Sequence, residues 1–393
     1  MYLHAAEASS FGKLQLQVTS EIDTIPITDA TITISYTGIP ETPLETLTTN
    51  SSGQTEIIDL PTPPVEYSLD PSIFEQPYSE YTFDITAPGY EPVNISGAEL
   101  FADVTALQQV SMRPLTPENA NPENFNIPAH TLYAEYPPKI PEAEIKPVNE
   151  SGEIVLSRVV IPEFIVVHDG SPRDSTAKNY YVKYKDYIKN VASSEIYATW
   201  PTNTIRANVL AIMSFTLNRV YTEWYRNQGY DFTITSSTAF DHKWIHNRNI
   251  YDSISLVVDE LFADYLSRPN VKQPILTQYC DGRQVQCPNW MPFLQEGTVK
   301  NITEDDVEAE EIPGLFPIQS TSGTCPRNSS CLRRIRPCSY SFYRPPVLHR
   351  KKRCPLQTLC NAPLCTCSHP VCNNKAPRRG CRNHLPVHHF PDH

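Results

Sequence analysis

Residues 186–201 read Asp-Tyr-Ile-Lys-Asn-Val-Ala-Ser-Ser-Glu-Ile-Tyr-Ala-Thr-Trp-Pro, and this stretch decides how the second half of the chain folds. Its apolar side chains at Tyr187, Ile188, Val191 and Ile196 recur at helical spacing and fall on one face of a helix. Pro201 follows as a stop signal, since proline cannot continue a helix. The stretch therefore predicts an amphipathic helix that includes Ile196 and ends before Pro201.

Glu195 is the candidate catalytic residue of this stretch. It follows three small residues, 192–194, which let a bulky partner approach the backbone, and it precedes Tyr197 and Trp200. A carboxyl beside two aromatic rings would be partly desolvated, and desolvation favours the protonated form that a general acid needs near neutral pH. A glutamate on an amphipathic helix more commonly belongs to the solvated face, and physical reasoning alone favours that interpretation over catalysis.

The residues on either side of this helix predict an α+β domain. A long helix is expected to begin near Thr202 or Thr204, with Gly229 as its C-terminal stop. Its apolar positions at helical spacing are Ile205, Val209, Ile212, Met213, Val220 and Trp224. The other expected elements are strands at 154–160, 164–168 and 232–235, a helix at about 250–265 and an extended segment at 274–279.

Residues 12–114 predict an all-β module. Apolar and polar residues alternate around Leu14–Val18, Ile32–Tyr36 and Tyr81–Ile85, which is the period of strands with one buried face. Short strands at this spacing predict a small β-sandwich. With its strand at 30–36 and its turn at 48–53, the module resembles the transthyretin-like or carboxypeptidase-regulatory-like sandwich, which implies an accessory role.

Residues 115–150 contain seven prolines and predict an extended, semi-stiff linker. The linker would join the β-sandwich to the α+β domain, which we place at residues 151–311.

The formal net charge of −12 averages two unlike parts of the chain. Residues 312–393 carry 13 of the 32 Lys and Arg, nine of the 11 cysteines and one of the 44 acidic residues, so a +12 tail follows a −24 body. An acidic body without a basic stripe argues against nucleic acid as a partner. No run of 18 apolar residues predicts a membrane span, and the N-terminus lacks the basic and apolar regions of a secretory signal.

Several motifs resemble the stage II sporulation protein D / LytB family, and most closely the clostridial spore cortex-lytic enzymes whose catalytic domains belong to it. The motifs are residues 186–201, Thr-Ile-Arg-Ala-Asn at 204–208, Leu-Asn-Arg-Val-Tyr at 217–221, Thr-Glu-Trp-Tyr-Arg at 222–226, and the segments 229–235, 246–250 and 279–288. Together they cover roughly residues 160–291. The preceding β-module and linker also look like those of the cortex-lytic relatives.

The resemblance implies lytic transglycosylation of peptidoglycan glycan strands, without a cofactor. The family's catalytic glutamate corresponds to Glu195, which would first protonate the glycosidic oxygen and then act as the base on the C6 hydroxyl of the muramic acid. The expected substrate-binding residues lie near it in sequence: Tyr197, Trp200, Arg206, Asn208 and Arg219. For the last three, a place on the polar face of a helix is an equal alternative. The rival function is that of a catalytically inactive structural or regulatory protein of the wall or spore.

A zinc site is the alternative to a cofactor-free protein. His242 and His246 are four residues apart, and Cys280 and Cys287 lie downstream, which would complete a Cys2His2 set. Six residues between the cysteines are too many for the tight knuckle of a structural zinc site. A disulfide or two buried thiols fit these cysteines at least as well.

After residue 291 the chain departs from the family pattern, which continues with Ser-Gln-Trp-Gly and a helix, whereas Pro292 follows here. We therefore expect the α+β domain to be truncated after 291. The Cys-, Arg- and Pro-rich tail, 312–393, has no apolar periodicity and predicts disorder. A reading-frame shift near 292–320 is our hypothesis for its origin, with a zinc domain or a disulfide scaffold as alternatives. The expected location is the spore cortex, spore coat or cell wall, reached from the mother-cell cytoplasm without a signal peptide.

Overall fold

The computed structural model describes residues 10–70, 72–116, 122–140, 142, 156, 158–267 and 273–278, and the backbone of 341–343. The chain divides into a unit spanning Met1–Pro345 and a second spanning Pro346–His393, and all the described residues belong to the first. The described chain is rich in β-structure and has few helices. Of the predicted tail, only the backbone of strand β14 (Ser341–Tyr343) is described, and it pairs with β13 (Tyr265–Ser267).

The first sheet has five strands in the order β3-β2-β5-β6-β8. Their bounds are β2 Thr31–Tyr36, β3 Pro43–Thr48, β5 Ser79–Thr86, β6 Val93–Leu100 and β8 Glu123–Asn126. Neighbours are antiparallel except β6 and β8, which run parallel. Ile32 and Ile34 of β2 are fully buried and Thr31 and Thr33 are more exposed, which confirms the predicted period of two up to Ile34; it breaks at Ser35, which is also buried.

The second sheet has four strands in the order β12-β7-β1-β4. Their bounds are β1 Ser10–Ser20, β4 Ile58–Thr62, β7 Thr105–Met112 and β12 Ile250–Tyr251. Leu14, Leu16 and Val18 of β1 are fully buried, as their alternation predicted. The helical turn α1, Glu66–Leu69, follows β4.

The predicted linker is partly built into the first sheet, because β8 lies within residues 115–150. Directly after β8, the Ile127 N–H donates to the Ser96 carbonyl at 2.8 Å. Gly97 makes this approach possible: it has φ +83°, and a Cβ there would overlap the Ile127 carbonyl. The proline-rich composition predicted an extended chain, but it did not predict that part of this chain pairs with β6 as a strand.

The helical region contains α2 (Tyr184–Glu195), α3 (Thr202–Thr222), α4 (Asp252–Leu261) and a small sheet. That sheet has the order β10-β9-β11, with β9 Phe164–His168, β10 Asn179–Lys183 and β11 Ile234–Thr235. No strand is assigned to Leu156 or to residues 158–160, and the rest of the predicted strand 154–160 lies outside the described residues.

The predicted stop of the long helix was wrong by six residues. Glu223, not Gly229, ends α3 in the left-handed region at φ +49°, and its N–H points to the carbonyls of Arg219 and Val220. Gly229, at φ +86°, instead caps the short 3-10 turn Arg226–Gln228. Within the described residues, no helix is long and apolar enough to cross a membrane.

The helical region is joined to the second sheet by backbone pairing. Residues 250–251, predicted to begin a helix, instead form β12 on the edge of β7, and α4 starts one residue later. Buried side chains of the sheets and of the helices belong to one continuous hydrophobic core. The two predicted domains are therefore packed together.

A buried ion pair lies at this joint. Arg248 donates through Nη2 to the Glu99 carboxylate of β6, and both side chains are fully buried. The Glu99 carbonyl accepts hydrogen bonds from Asn249 Nδ2 at 2.8 Å and from the Tyr251 hydroxyl at 3.0 Å. Burial raises the pKa of Glu99 to about 7, and the adjacent Arg248 opposes that rise.

We predict that Glu99 makes the protein less stable as the pH rises from about 4.5 to above 7. Because its pKa is higher in the folded than in the unfolded chain, the stabilisation is complete below the unfolded value and is lost as the pH passes 7. The loss should be on the order of 3 kcal/mol. In urea unfolding of the full chain between pH 4.5 and 8.5, the stability of Glu99→Gln should therefore fall less, or rise more, with pH than that of the wild type.

The exposed Glu45 on β3 provides the matched control, because Glu45→Gln should leave the wild-type slope unchanged. Burial lowers the pKa of His130 and of His242, which adds a slope of opposite sign that all three proteins share. Parallel slopes for the wild type and Glu99→Gln would contradict the prediction.

Candidate functional site

Glu195 is the last residue of α2, and its side chain is buried, with 5% of the residue exposed. Its Oε1 accepts a hydrogen bond from the backbone N–H of Lys243 at 2.6 Å. The chain therefore holds one carboxylate oxygen in a fixed position at the end of a helix.

Lys243 belongs to an irregular segment, Asp241–Asn249, that docks along α2. The Asn190 side chain donates to the Ile245 carbonyl at 2.8 Å and accepts from the Ile245 N–H at 3.0 Å. Arg248 Nε donates to the Ser193 carbonyl at 2.9 Å. These contacts satisfy buried backbone groups of a segment without helix or sheet, and they determine where the Lys243 N–H meets Glu195.

Two lysines place positive charge around Glu195. Lys139 donates through Nζ to the Asp241 carbonyl and lies 5.1 Å from the centre of the Phe215 ring. Burial lowers the pKa of Lys139, and burial also lowers that of Lys243, while the negative charge of Glu195 opposes both shifts. A carboxyl held by an amide near two desolvated amines can both give up and recover a proton.

Beside this group lies a buried network centred on Asp241. Its Oδ1 accepts from Arg219 Nε at 2.7 Å, and its Oδ2 accepts from the Tyr225 hydroxyl and the Thr235 hydroxyl, each at 2.6 Å, and from the Thr235 N–H at 2.9 Å. Arg219 also donates through Nη1 to Glu142 Oε1 at 2.5 Å. Four donors on one carboxylate secure the N-terminal end of the segment that meets Glu195.

Arg219, expected to bind substrate, is instead an internal residue of this network. Only 1% of it is exposed, and its third nitrogen donates to the Phe240 carbonyl at 3.2 Å. Asn208 is equally buried, and its Nδ2 donates to the Thr204 carbonyl at 2.8 Å. Arg206 lies at the surface, where it pairs with Glu260 of α4 at 2.6 Å. The structure does not bring these three side chains to Glu195.

Tyr197 and Trp200, also expected to bind substrate, are packed into the joint with the N-terminal sheets. They are 3% and 4% exposed. The Tyr197 ring lies 5.4 Å from that of Phe101, and Trp200 Nε1 donates to the Ser68 carbonyl of α1 at 3.0 Å. In this structure the two rings have a packing role and present no face to a ligand.

The two histidines of the proposed zinc set lie in the irregular segment, so their spacing does not place them on one helical face. His242 is buried 4.4 Å from the Phe215 ring, whereas His246 stacks on Tyr180, also at 4.4 Å. Cys280 and Cys287 lie outside the described residues. Across the part of the chain that the structure describes, no three His, Cys, Asp or Glu side chains are arranged to hold a metal ion.

Sequence reasoning missed Asp241, Lys139 and Lys243. Lys139 lies in the segment predicted to be a linker, and Asp241 and Lys243 belong to no regular element. The only sequence signal is that a charged Asp-His-Lys triplet, 241–243, interrupts a stretch rich in aromatic and small residues.

No family model matches the chain, and no curated protein matches it. Solved structures with similar segments include the Bacillus anthracis TIE protein, with 15% identity and a TM-score of 0.19 over 27% of this chain and 17% of that one. Another is GBS52, the minor pilin of Streptococcus agalactiae, with 16% identity and a TM-score of 0.21 over 31% of this chain and 50% of that one. A third is wild-type catechol 1,2-dioxygenase of Acinetobacter radioresistens, with 15% identity and a TM-score of 0.18 over 29% of this chain and 55% of that one. The chain covers less than two thirds of each, and such low TM-scores carry no argument about fold or function.

We predict that Arg219→Gln lowers the free energy of unfolding by about 3–5 kcal/mol, because it leaves Asp241 and Glu142 buried without their cation. Arg206→Gln, on the same helix, removes an exposed pair with Glu260 and should cost less than about 1 kcal/mol. Urea unfolding of the two variants gives the comparison. Equal losses would show that Arg219 is not the structural residue that its contacts indicate.

Proposed function

We propose that the protein is a peptidoglycan lytic transglycosylase of the spore cortex or cell wall, with Glu195 as its acid and base. The observation that carries the proposal is the position of Glu195, which is 5% exposed, hydrogen-bonded to the backbone amide of Lys243 and electrostatically coupled to Lys139 and Lys243. This carboxyl lies in the sequence, 186–201, that resembles the catalytic segment of the sporulation protein D family.

One carboxyl suffices for this reaction. Glu195 donates its proton to the glycosidic oxygen between N-acetylmuramic acid and N-acetylglucosamine, the C1–O bond breaks, and positive charge develops at C1 of the muramic acid. The resulting carboxylate then takes the proton of the C6 hydroxyl of the same sugar as that oxygen bonds to C1. The products are a 1,6-anhydro end and a free glucosamine 4-hydroxyl, and Glu195 is protonated again.

The surroundings of Glu195 fit the two roles. The Lys243 N–H orients the carboxyl, so little rotational freedom is lost when the substrate binds. The nearby charges of Lys139 and Lys243 stabilise the carboxylate during the interval between the two proton transfers. In this proposal Arg219 supports the site through Asp241, while the two N-terminal sheets form the accessory β-sandwich.

The burial of Glu195 favours a second candidate. A carboxyl that is 5% exposed admits a sugar only if the segment Asp241–Asn249 shifts away from α2. If that segment stays in place, the protein is a catalytically inactive structural or regulatory protein of the wall or spore.

We predict that Glu195→Gln lowers the release of anhydro-muropeptides from purified cortex peptidoglycan by about 10²–10⁴-fold. Glutamine retains an oxygen that accepts the Lys243 N–H, so the fold should be preserved while the transferable proton is lost. Chromatography and mass spectrometry of the products of the full chain give the rate.

Glu260→Gln, which alters an exposed carboxylate on α4, is the control and should release products at the wild-type rate. Equal rates for the wild type and Glu195→Gln would refute the catalytic assignment. No product from a folded wild type would favour the inactive protein.

A further inference from the structure

A cleft of about 470 Å³ lies beside the Asp241 network, because Tyr225, which bonds to Asp241, is one of its lining residues. Its volume is in the range of about 300–1,000 Å³ that is typical of small-molecule sites. Four aromatic side chains line it: Trp224, Tyr225, Tyr230 and Phe240.

The aromatic side chains that line the cleft are held in place by contacts with Arg219 and Asp241. The Arg219 guanidinium lies 5.6 Å from the centre of the Trp224 ring and 5.5 Å from that of Tyr225. The Tyr225 hydroxyl donates to Asp241, and the Tyr230 ring packs edge-on against Tyr225 at 6.0 Å. A ligand would therefore meet rings whose orientation is already set.

Polar side chains of planar shape line the same cleft. Arg173 and Gln228 are exposed, and the Glu142 carboxylate, which accepts from Arg219, is partly buried. A pyranose ring has an apolar C–H face and an edge of hydroxyl groups, to which an amino sugar adds an acetamido group. The aromatic rings of the cleft complement the C–H face, and its guanidinium, amide and carboxylate groups complement the polar edge. The charged side chains that line the cleft are one cation, Arg173, and one carboxylate, Glu142, so the lining favours a ligand without a large net charge.

The cleft and Glu195 are linked by a short piece of backbone. Phe240 lines the cleft, and Lys243, three residues later, donates its N–H to Glu195. Three residues extend at most about 11 Å, which bounds the separation of the Phe240 and Lys243 backbones.

We propose that this cleft is a binding subsite for a glycan of N-acetylated amino sugars, with Trp224 as its stacking platform. That the natural ligand is peptidoglycan rests on the proposed function, whereas binding of the sugar itself does not depend on catalysis. The stem peptide is the alternative ligand that the experiment distinguishes.

The probe is chitotetraose, which carries the amino sugars without peptide, titrated calorimetrically into the full chain with Glu195→Gln to prevent turnover. Trp224→Ala should weaken binding by about tenfold or more, because the stacking surface is lost. Gln228→Ala and Arg173→Ala alter exposed side chains and should weaken binding several-fold without unfolding the protein. Tyr181→Ala removes a ring that is 75% exposed and lies outside the cleft, and it should bind like the parent.

The subsite is refuted if chitotetraose does not bind, if it binds equally to the Trp224, Gln228 and Arg173 variants, or if only an isolated stem peptide binds. These outcomes are separate from failure of the proposed function. If binding is unchanged in the Trp224 variant and turnover still depends on Glu195, the subsite proposal alone is refuted. Binding that depends on Trp224, with no anhydro products from the wild type, would remove the catalytic proposal alone.

Discussion

The buried charge of Arg248 is the constraint on which the arrangement of the chain depends. Its guanidinium bonds to Glu99 in the first sheet and to the Ser193 carbonyl in α2, two residues before Glu195. A buried cation without these partners would be costly, so the sheets and α2 have to meet at one relative position. The pairing of β12 with β7 continues from the same joint.

The Asp241 carboxylate holds the N-terminal end of the segment Asp241–Asn249, whereas Arg248 lies near its C-terminal end. It accepts hydrogen bonds from Arg219 of α3, from Thr235 of the small sheet and from Tyr225, which lies in the turn that follows α3. The segment Asp241–Asn249 is thus held by charged or polar contacts at both ends, without hydrogen bonds of regular secondary structure. Near the start of this segment, the Lys243 amide donates to Glu195. Phe240, the residue immediately before the segment, lines the aromatic cleft.

Local patterns predicted strands β1, β2, β5, β9 and β11 and helices α2, α3 and α4, but not the other described elements. The alternation in β1 and β2 and the helical spacing in α2 each reflect a buried face, which depends only on nearby residues. Helix α3, in contrast, is buried on nearly all sides. Boundaries set by distant partners were predicted less well. Residues 250–251 leave the helix because the edge of β7 offers backbone hydrogen bonds, and Glu123–Asn126 becomes a strand because β6 does. Glu223 ends α3 before Gly229 although it has a side chain, which local propensity does not predict.

The sequence by itself determined that a β-rich region is followed by a region of helices and strands, and that Glu195 lies on a helix within a motif resembling a catalytic one. It also placed candidate aromatic and basic side chains near that motif. Only the tertiary structure decided which of them are internal: Trp200 bonds to Ser68, 132 positions away, and Arg219 to Glu142, 77 positions away. Burial of a polar or aromatic side chain depends on what the folded chain brings beside it, and a residue's own neighbours in sequence do not carry that information.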